Sequence, residues 1–351
     1  MLRKILVFVL VVLISLNLFG CQTPSGDGGS QGTTTEIIVG VTSPAITETP
    51  KVPQLLIFVN RLSGWETVGD ELEASMRVMA AEKGWELLSF RSFSELNIQG
   101  DPVLFVIAGG DVELSEEIER YPDAFFILVA VAGAIPAERV AVIGPEGMRA
   151  DKVAFLGGFI AAMLTPSWRV GVIGVEQGGE GQAAIKSFLN GAVFFCGLCR
   201  TEYPPFHEYP TSTTVANSDA SSLRSGYEQL SPMAIKTIGL THEFPSDSVA
   251  TVVSEVASVG INWIGPNPPS DESREHWIAT ILPFPAGDLE NVYERLVLGE
   301  ENVSIAISFD IRDVHPDLLS EGKLELAQEI MRDLERGVID TGVDPQTGQD
   351  R

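Results

Sequence analysis

The sequence predicts an α/β protein made of two Rossmann-like lobes, each built on a parallel sheet. The first observation is the stretch 150–192, which reads as a helix, a buried β-branched strand, a glycine-rich loop and a second helix. That order of elements is typical of parallel α/β sheets. The second observation is that apolar runs of strand length recur between 54 and 309, with helical segments between them. Because such sheets bind ligands outside the carboxyl ends of their strands, we expect the ligand site in an interlobe cleft.

The N-terminal segment 1–20 is predicted to be a secretion signal. Two basic residues precede the apolar run 5–14, which is too short to span a bilayer comfortably. The signal ends in Leu-Phe-Gly before Cys21, which resembles a lipoprotein signal-peptidase site. We therefore expect Cys21 to be acylated and to anchor the protein at the extracytoplasmic face of the cell membrane. The alternative is an ordinary signal peptide in which this cysteine is incidental.

Residues 21–53 are predicted to form a flexible tether, because they are rich in Thr, Ser, Gly and Pro and cannot bury a core. The roughly 300 residues that follow suffice for two lobes of ordinary domain size. The formal net charge of the chain is −25, which argues against nucleic acid or anionic lipid as a direct partner. A tether behind a lipidated cysteine would let a globular domain reach a partner beside the membrane.

The individual elements follow from periodicity. Apolar, β-branched runs predict strands, and apolar residues three and four apart predict helices. The predicted strands are 54–60, 85–90, 103–108, 124–132, 139–144, 169–175, 234–240, 260–265, 276–282 and 303–309. The predicted helices are 67–83, 112–120, 151–165, one beginning near 181, 246–258, 287–298 and 316–336. The tract 201–225 is rich in Pro, Ser and Thr and fits neither pattern.

The central helix and strand carry a resemblance to a known family. The helix presents small residues on one face, where another backbone can approach closely, and Pro166 ends it. The segment resembles the basic membrane protein family, the PnrA-like solute-binding lipoproteins of bacterial ABC importers. The matching residues are Asp151, which we expect to cap the helix, with Ala154, Gly157, Gly158, Ala161, Ala162, Val170, Gly171, Ile173 and Gly174.

The resemblance extends over about 54–344 and implies a type I periplasmic-binding-protein-like fold. It implies a first lobe of residues 54–164 plus 284–342 and a second lobe of 165–283. The last residues, 343–351, are predicted to be a disordered tail. The resemblance also implies the function: a lipoprotein that captures a small solute between closing lobes and delivers it to an ABC transporter permease. We expect it to act as a monomer and without a cofactor.

The loop after the first strand is expected to reach the cleft. In the resembled family this place holds an aromatic residue that stacks on a purine base, followed by an asparagine. Trp65 falls on the aromatic position and Glu66 on the asparagine. The resemblance therefore implies ligand contact by Trp65, whereas Glu66 departs from the family. The alternative for Trp65 is packing on its own helix.

Three further residues are expected at the cleft. Asp111 follows a glycine turn that lines the cleft in the family, although we favour its capping of the next helix. Phe244 follows the strand 234–240 and offers a second aromatic ring. Asn267 replaces the family's ribose-binding aspartate, and an amide lacks a carboxylate's paired acceptors. The expected ligand is therefore a nucleoside or another planar heterocycle, with weaker discrimination for ribose than is typical of the family.

Cys196 and Cys199 form a Cys-x-x-Cys motif, which suits a redox pair, half of a zinc site or a local disulfide. No second such motif completes a metal site, and the histidines are scattered at 207, 242, 276 and 315. Outside the cytoplasm a structural disulfide is the default, with two reduced core thiols as the alternative. We expect no bound metal.

We do not expect an enzyme. The sequence has no Gly-x-Ser-x-Gly elbow, no His-Glu-x-x-His and no kinase motif, and its glycine loop 175–181 lacks Gly-Lys-Ser/Thr. His242 and Glu243, with Ser246 nearby, form the group that most resembles a catalytic one. One alternative from another class stays open, an orphan lipoprotein that serves as a ligand sensor or a surface scaffold without a transport role.

Overall fold

The computed structural model describes residues 53–110, 115–175 and 178–351. The predicted signal peptide, the predicted acylation site Cys21, nearly all of the tether and the cleft candidate Asp111 lie outside these residues. No helix among the described residues has both the length and the apolar character needed to cross a membrane.

The elements follow in chain order. The strands are β1 (Gln54–Asn60), β2 (Glu86–Phe90), β3 (Asp101–Ala108), β4 (Phe125–Val129), β5 (Val140–Ile143), β6 (Val170–Val175), β7 (Thr211–Val215), β8 (Thr237–Leu240), β9 (Asn262–Gly265), β10 (Trp277–Pro283), β11 (Ser304–Ile305) and β12 (Phe309–Arg312). The helices are α1 (Glu66–Lys83), α2 (Ser115–Arg120), α3 (Ala150–Leu164), α4 (Gly178–Phe195), α5 (Ala220–Leu230), α6 (Ser246–Val256), α7 (Leu289–Val297) and α8 (Glu321–Glu335).

Two sheets organise the described residues. The first has the spatial order β11-β5-β4-β3-β1-β2, and its pairings are parallel. The second has the order β12-β10-β9-β8-β6-β7 and is parallel except for β12, which runs antiparallel to β10. Central strands such as β6 and β8 are buried along their whole length, which explains their continuous apolar runs. The predicted fold class, two α/β lobes with mostly parallel sheets, is confirmed.

The sheets divide the chain differently from the predicted lobes. Helix α3, expected in the first lobe as part of 54–164, lies against β8, β9 and β10 of the second sheet. The strand expected at 303–309 is two short strands, of which β11 joins the first sheet and β12 the second. We therefore call the first sheet with α1, α2 and α7 the first lobe, and the second sheet with α3–α6 and α8 the second lobe. The chain passes between them at 144–149, at Phe284 and at 306–308.

The small-residue face of α3 explains its place on the second lobe. A Cβ added to Gly158 would lie 1.9 Å from the carbonyl oxygen of Phe188 on α4. One added to Gly191 of α4 would lie 1.9 Å from the carbonyl oxygen of Phe155 on α3. The two backbones therefore touch at glycines on both sides, as the small-residue face predicted. Because α4 follows β6 directly, this contact holds α3 on the second sheet.

The start of α3 differs from the sequence expectation, because Asp151 does not cap it. The capping position is Arg149, at a left-handed φ of 56°, and no side-chain cap bond is formed. Instead, Arg149 donates from Nε and Nη2 to the two carboxylate oxygens of the buried Asp151, each at 2.8 Å. The hydroxyl of Thr341 donates to the same carboxylate at 2.8 Å. The hydrogen bonds of Asp151 therefore connect the segment 144–149, where the chain first passes between the lobes, to Thr341 near the C-terminus.

The tail 343–351, predicted to be disordered, is a hydrogen-bonded loop in the structure. Val343 is buried and forms an antiparallel bridge with Asp350. The carboxylate of Asp344 accepts backbone N–H bonds inside the loop, one of them from Gln346 at 3.1 Å. A Cβ on Gly179 would lie 1.9 Å from the carbonyl oxygen of Gln346, so the loop packs on the first turn of α4. An aspartate turn supplies local hydrogen bonds that composition alone does not reveal.

The unassigned tract 201–225 contains β7, an edge strand of the second sheet, and the start of α5. The buried Arg169 organises the segment before β7. Its guanidinium donates to the carbonyl oxygens of Met233 at 2.7 Å and Tyr203 at 2.6 Å, and it stacks on the Tyr203 ring. The same segment begins with a disulfide between Cys196 and Cys199, whose Cα atoms lie 5.5 Å apart.

Candidate functional site

The loops that follow β1 and β8 meet between the lobes and enclose a cavity of about 460 Å³. It is lined by Ser63, Gly64, Glu66, Thr67 and Asp70 of the first lobe and by Ser218, His242, Glu243, Phe244, Pro245, Ser246 and Asn267 of the second. Small-molecule pockets in proteins occupy about 300–1,000 Å³, so this cavity has the size of a ligand site. We call it the cleft cavity.

A second, much smaller cavity of about 60 Å³ adjoins the cleft cavity, since Ser63 and His242 line both. Trp65 lines this smaller cavity, together with residues of the second lobe such as Val175 and Thr241. Its volume is too small for a heterocyclic ring. As the lobes stand in this structure, Trp65 therefore borders the interlobe space without facing the cleft cavity.

Trp65 immediately precedes α1 and is 8% exposed. It belongs to the same apolar core cluster as Val68 and Leu72 of that helix. Both sequence interpretations of Trp65 thus describe part of its environment: it is packed in the core beside its own helix, and its exposed edge borders the interlobe space. A stacking role would require the lobes to move apart and expose more of the ring.

Phe244 leaves β8 and lies in the apolar core of the second lobe, although it also lines the cleft cavity. Its ring meets that of His242 edge to face, with 6.4 Å between the centroids. The sequence predicted that Trp65 and Phe244 offer two aromatic rings to one cleft. In the structure both residues lie at the interlobe space, but they line different cavities.

Asn267 follows β9 and is 2% exposed. Its side-chain oxygen accepts the backbone N–H of Phe244 at 3.1 Å, and its amide nitrogen donates to the Phe244 carbonyl oxygen. The Asn267 carbonyl oxygen in turn accepts from the Thr280 hydroxyl at 2.8 Å. The amide therefore clamps the loop after β8, a task that requires one donor and one acceptor and that a carboxylate could not perform.

The first-lobe side of the cleft cavity is a tight turn before α1. Gly64 has a φ of +75°, and its N–H donates to Glu66 Oε1 at 3.1 Å. A Cβ added to Gly64 would lie 2.2 Å from Cε1 of His242, so the turn touches the second lobe at this point. Only glycine fits here, because the backbone φ is positive and because a side chain would overlap the His242 ring. Glu66 thus shapes the turn and lines the cavity at the same time.

Glu243 makes a hydrogen bond between the lobes. Its Oε2 accepts the backbone N–H of Thr67 in the first turn of α1 at 3.0 Å. Its Oε1 is buried and has no hydrogen-bond partner among the described residues. Burial raises the pKa of Glu243 to about 7, and the nearby carboxylates of Glu66 and Asp70 add to the shift, whereas the Thr67 hydrogen bond opposes it.

His242 is also largely buried, and that burial lowers its pKa, with the nearby Glu66 carboxylate acting in the opposite direction. The histidine is therefore neutral at pH 7. The two neighbours of the catalytic-looking group noted in the sequence have different partners: Glu243 is bonded to Thr67, and the ring of His242 packs on Gly64 and Phe244. Among the described residues no cluster of three or more His, Cys, Asp or Glu side chains could hold a metal ion.

Known proteins resemble this chain in fold and not in sequence. No family model matches the chain, and no curated protein matches it. A solved ABC-transporter solute-binding protein from Aeropyrum pernix is 15% identical with a TM-score of 0.56, over 82% of this chain and 92% of that chain. One from Conexibacter woesei is 13% identical with a TM-score of 0.58, over 82% and 98%.

A third similar structure is a transcriptional activator of the comK gene from Bacillus halodurans, 15% identical with a TM-score of 0.54, over 82% of this chain and 99% of that chain. Transporter components and a regulator thus share one architecture at low identity, so the likeness concerns the fold. The fold is that of the type I periplasmic-binding proteins. Their two-lobe arrangement, with the chain passing repeatedly between lobes, is the one described above.

Sequence reasoning placed Trp65, Glu66, Phe244 and Asn267 in the interlobe region, and the described structure has all of them there. It did not foresee that Asp70 lines the cleft cavity or that Glu243 joins the lobes. A signal for Asp70 was available, since it lies one helical turn after Glu66 on α1 and so shares its face. The Glu243–Thr67 contact, which joins residues 176 positions apart, had no such signal.

Proposed function

We propose that this protein is an extracytoplasmic solute-binding lipoprotein of an ABC importer. It captures a small solute, a nucleoside or another planar heterocycle, between two closing lobes and passes it to a transporter permease. The observation that carries the proposal is the cleft cavity of about 460 Å³, which both lobes line at the ends of their strands. A ligand in such a place contacts both lobes and therefore favours the closed arrangement.

Several features support binding rather than catalysis. The polar side chains of the cavity are carboxylates, hydroxyls, one histidine and the amide of Asn267. The two most buried, Asn267 and Glu243, hold the loop after β8 and the contact between the lobes. Pro245 is exposed at the cavity and contributes apolar surface, whereas the Phe244 ring lies in the core beside it and is 2% exposed. Asn267 takes the place of the ribose-binding aspartate of the resembled family, and its amide is engaged by Phe244. Weak discrimination for ribose follows.

Calorimetry on the purified mature protein tests the ligand class. Guanosine, inosine and their free bases should give measurable heat, with the bases binding nearly as well as the nucleosides. Trp65→Leu tests the stacking role: where the lobes rearrange around the ligand so that this ring meets the base, binding should weaken by about 1–3 kcal/mol per base, the usual value of base–aromatic stacking. Trp85→Leu, which removes a tryptophan from the far side of the first lobe, is the matched control. Absence of heat from every planar solute would favour the sensor or scaffold alternative.

The anchor requires its own experiment. Mass spectrometry of protein extracted from the native membrane should show a diacylglyceryl group on Cys21, and Cys21→Ser should release the protein from the membrane fraction. If the wild-type N-terminus carries no lipid, and Cys21→Ser leaves its location unchanged, the lipoprotein part of the proposal is wrong. Import of the solute should in turn depend on a permease encoded with this protein.

A further inference from the structure

We propose that the cleft cavity takes a solute with a cationic nitrogen donor, such as an amine, amidine or guanidine group, and that Glu243 is the carboxylate that binds it. This inference rests on the proposed function, since it names a chemical feature of the solute captured there. The solute that fits both proposals is a planar ring that carries a positive charge.

The charge of the cavity is the first reason. Its acidic lining residues are Glu66, Asp70 and Glu243. None of its lining residues, all of which lie in the described part of the chain, is a lysine or an arginine. A carboxylate or phosphate solute would be repelled by Glu66, Asp70 and the ionised form of Glu243, whereas a cation would be attracted by them. The one histidine, His242, does not offset this charge, because it is neutral at pH 7.

The second reason is independent of the charge and concerns one atom. Glu243 is 7% exposed, its Oε2 is occupied by Thr67, and its buried Oε1 has no hydrogen-bond partner among the described residues. A buried polar atom without a partner is costly and is rare in native structures. Glu243 lines the cleft cavity, but Oε1 itself is covered in this structure, so a donor on the solute reaches it when the side chain turns toward the cavity. Oε1 is thus an acceptor that a ligand would complete.

A cationic donor suits this atom better than a neutral one. A hydrogen bond to a charged nitrogen is about twice as strong as a neutral one. The bound cation would also replace the proton that Glu243 otherwise takes up near neutral pH in the presence of Glu66 and Asp70. A planar cation would gain further contact with the exposed Pro245, which lines the same cavity. An amidinium group on an aromatic ring combines the positive charge with the planar shape.

The test uses benzamidine and benzamide, which have nearly the same shape but differ in charge. Calorimetry on the wild-type protein should show benzamidine binding roughly tenfold or more tightly than benzamide. Glu243→Gln should remove most of this preference by weakening benzamidine and leaving benzamide within about threefold. The glutamine keeps an acceptor for the Thr67 N–H, so the contact between the lobes is preserved. Glu301→Gln, on an exposed turn between α7 and β11, is the control and should change neither affinity.

Asp70→Asn provides a second variant that does not alter the interlobe contact, and it should reduce the benzamidine preference by a smaller factor. The inference is overturned if wild-type protein binds both probes equally, or if Glu243→Gln and Asp70→Asn leave the preference intact. Tight binding of neutral nucleosides together with equal binding of the probes would overturn the inference and leave the proposed function standing. No binding by any planar solute, charged or neutral, would overturn both.

Discussion

The second lobe has two contact surfaces that are built in opposite ways. At the α3–α4 contact, two helices touch backbone to backbone through Gly158 and Gly191, with no space for an added methyl group. At the cleft, the contact with the first lobe consists of a few polar groups around Glu243 and His242. One of them, Glu243 Oε1, has no hydrogen-bond partner in the part of the chain that the structure describes. At the first surface, steric overlap excludes any other arrangement of the two helices. At the second surface, polar groups remain that can form hydrogen bonds with water or a ligand.

The two surfaces differ in the motion that they allow. Close-packed backbones have one arrangement, because any displacement creates overlap or a void. A contact made of individual hydrogen bonds can open, since water replaces each lost partner at a modest net cost. The α3–α4 pair is therefore expected to move as one body, and the lobes are expected to separate along the cleft.

The largest effect is expected at the α3–α4 contact. Gly158→Ala places a methyl group 1.9 Å from a backbone oxygen that cannot rotate away, so it should lower the free energy of unfolding by about 3 kcal/mol. The neighbouring Gly157→Ala is a matched control, because its Cβ would lie 3.6 Å from Phe188, an ordinary contact. That substitution should be neutral or stabilising by up to about 1 kcal/mol, as glycine is unfavourable inside a helix. Urea denaturation measures both, and equal effects would contradict the tight-contact interpretation.

The next effect concerns pH and the buried Glu243, whose pKa is raised to about 7 from an ordinary 4.5. Between these two pH values the folded protein holds a proton that the unfolded chain loses, so this residue's contribution to stability falls as pH rises and levels off above about pH 7. The loss should be on the order of 2 kcal/mol. Melting curves of the wild type and Glu243→Gln from pH 5 to 8 should show the wild type losing stability relative to the variant. Parallel curves would show that this carboxyl is solvated.

The contacts of Asn267 are expected not to tolerate an aspartate, the residue that the resembled family has at this place. Asn267→Asp retains an acceptor for the Phe244 N–H but brings a carboxylate against the Phe244 carbonyl oxygen, which loses its donor. The protein should lose about 1–3 kcal/mol of stability without gaining affinity for ribose. Asn302→Asp, in an exposed turn, is the control and should change stability by less than about 0.5 kcal/mol. A gain in nucleoside over free-base affinity would instead show that Asn267 faces the ligand.

The smallest effect is expected at a second contact between the lobes. Arg312 of β12 bonds to Glu71 of α1, and both side chains are partly exposed. Glu71→Gln should cost about 0.5–1 kcal/mol and make small-angle scattering report a slightly more open average shape. Arg224→Gln, which breaks an exposed pair within the second lobe, should leave the shape unchanged. Identical scattering of the wild type and Glu71→Gln would show that this bridge does not hold the lobes.

The sequence by itself determined the parts of this protein that depend on local pattern. Buried strands such as β1 and β6 were predicted within one residue of their bounds, because continuous apolar runs between turn residues specify them. The glycine face of α3 was predicted for the same reason, since it lies within one helix. The interlobe position of Trp65, Glu66, Phe244 and Asn267 followed from the rule that loops after parallel strands share one edge of the sheet.

Only the tertiary structure decided which sheet α3 and β12 join, because a small-residue face indicates a close partner without identifying it. The same holds for single side chains. The partners of Asn267 and Glu243 are backbone groups 23 and 176 residues away, and no spacing rule connects positions so far apart. Whether a carboxylate is solvated, paired or left with an open acceptor depends on its neighbours in three dimensions. The charge preference of the cleft therefore emerged from the fold, although every residue that creates it was visible in the sequence.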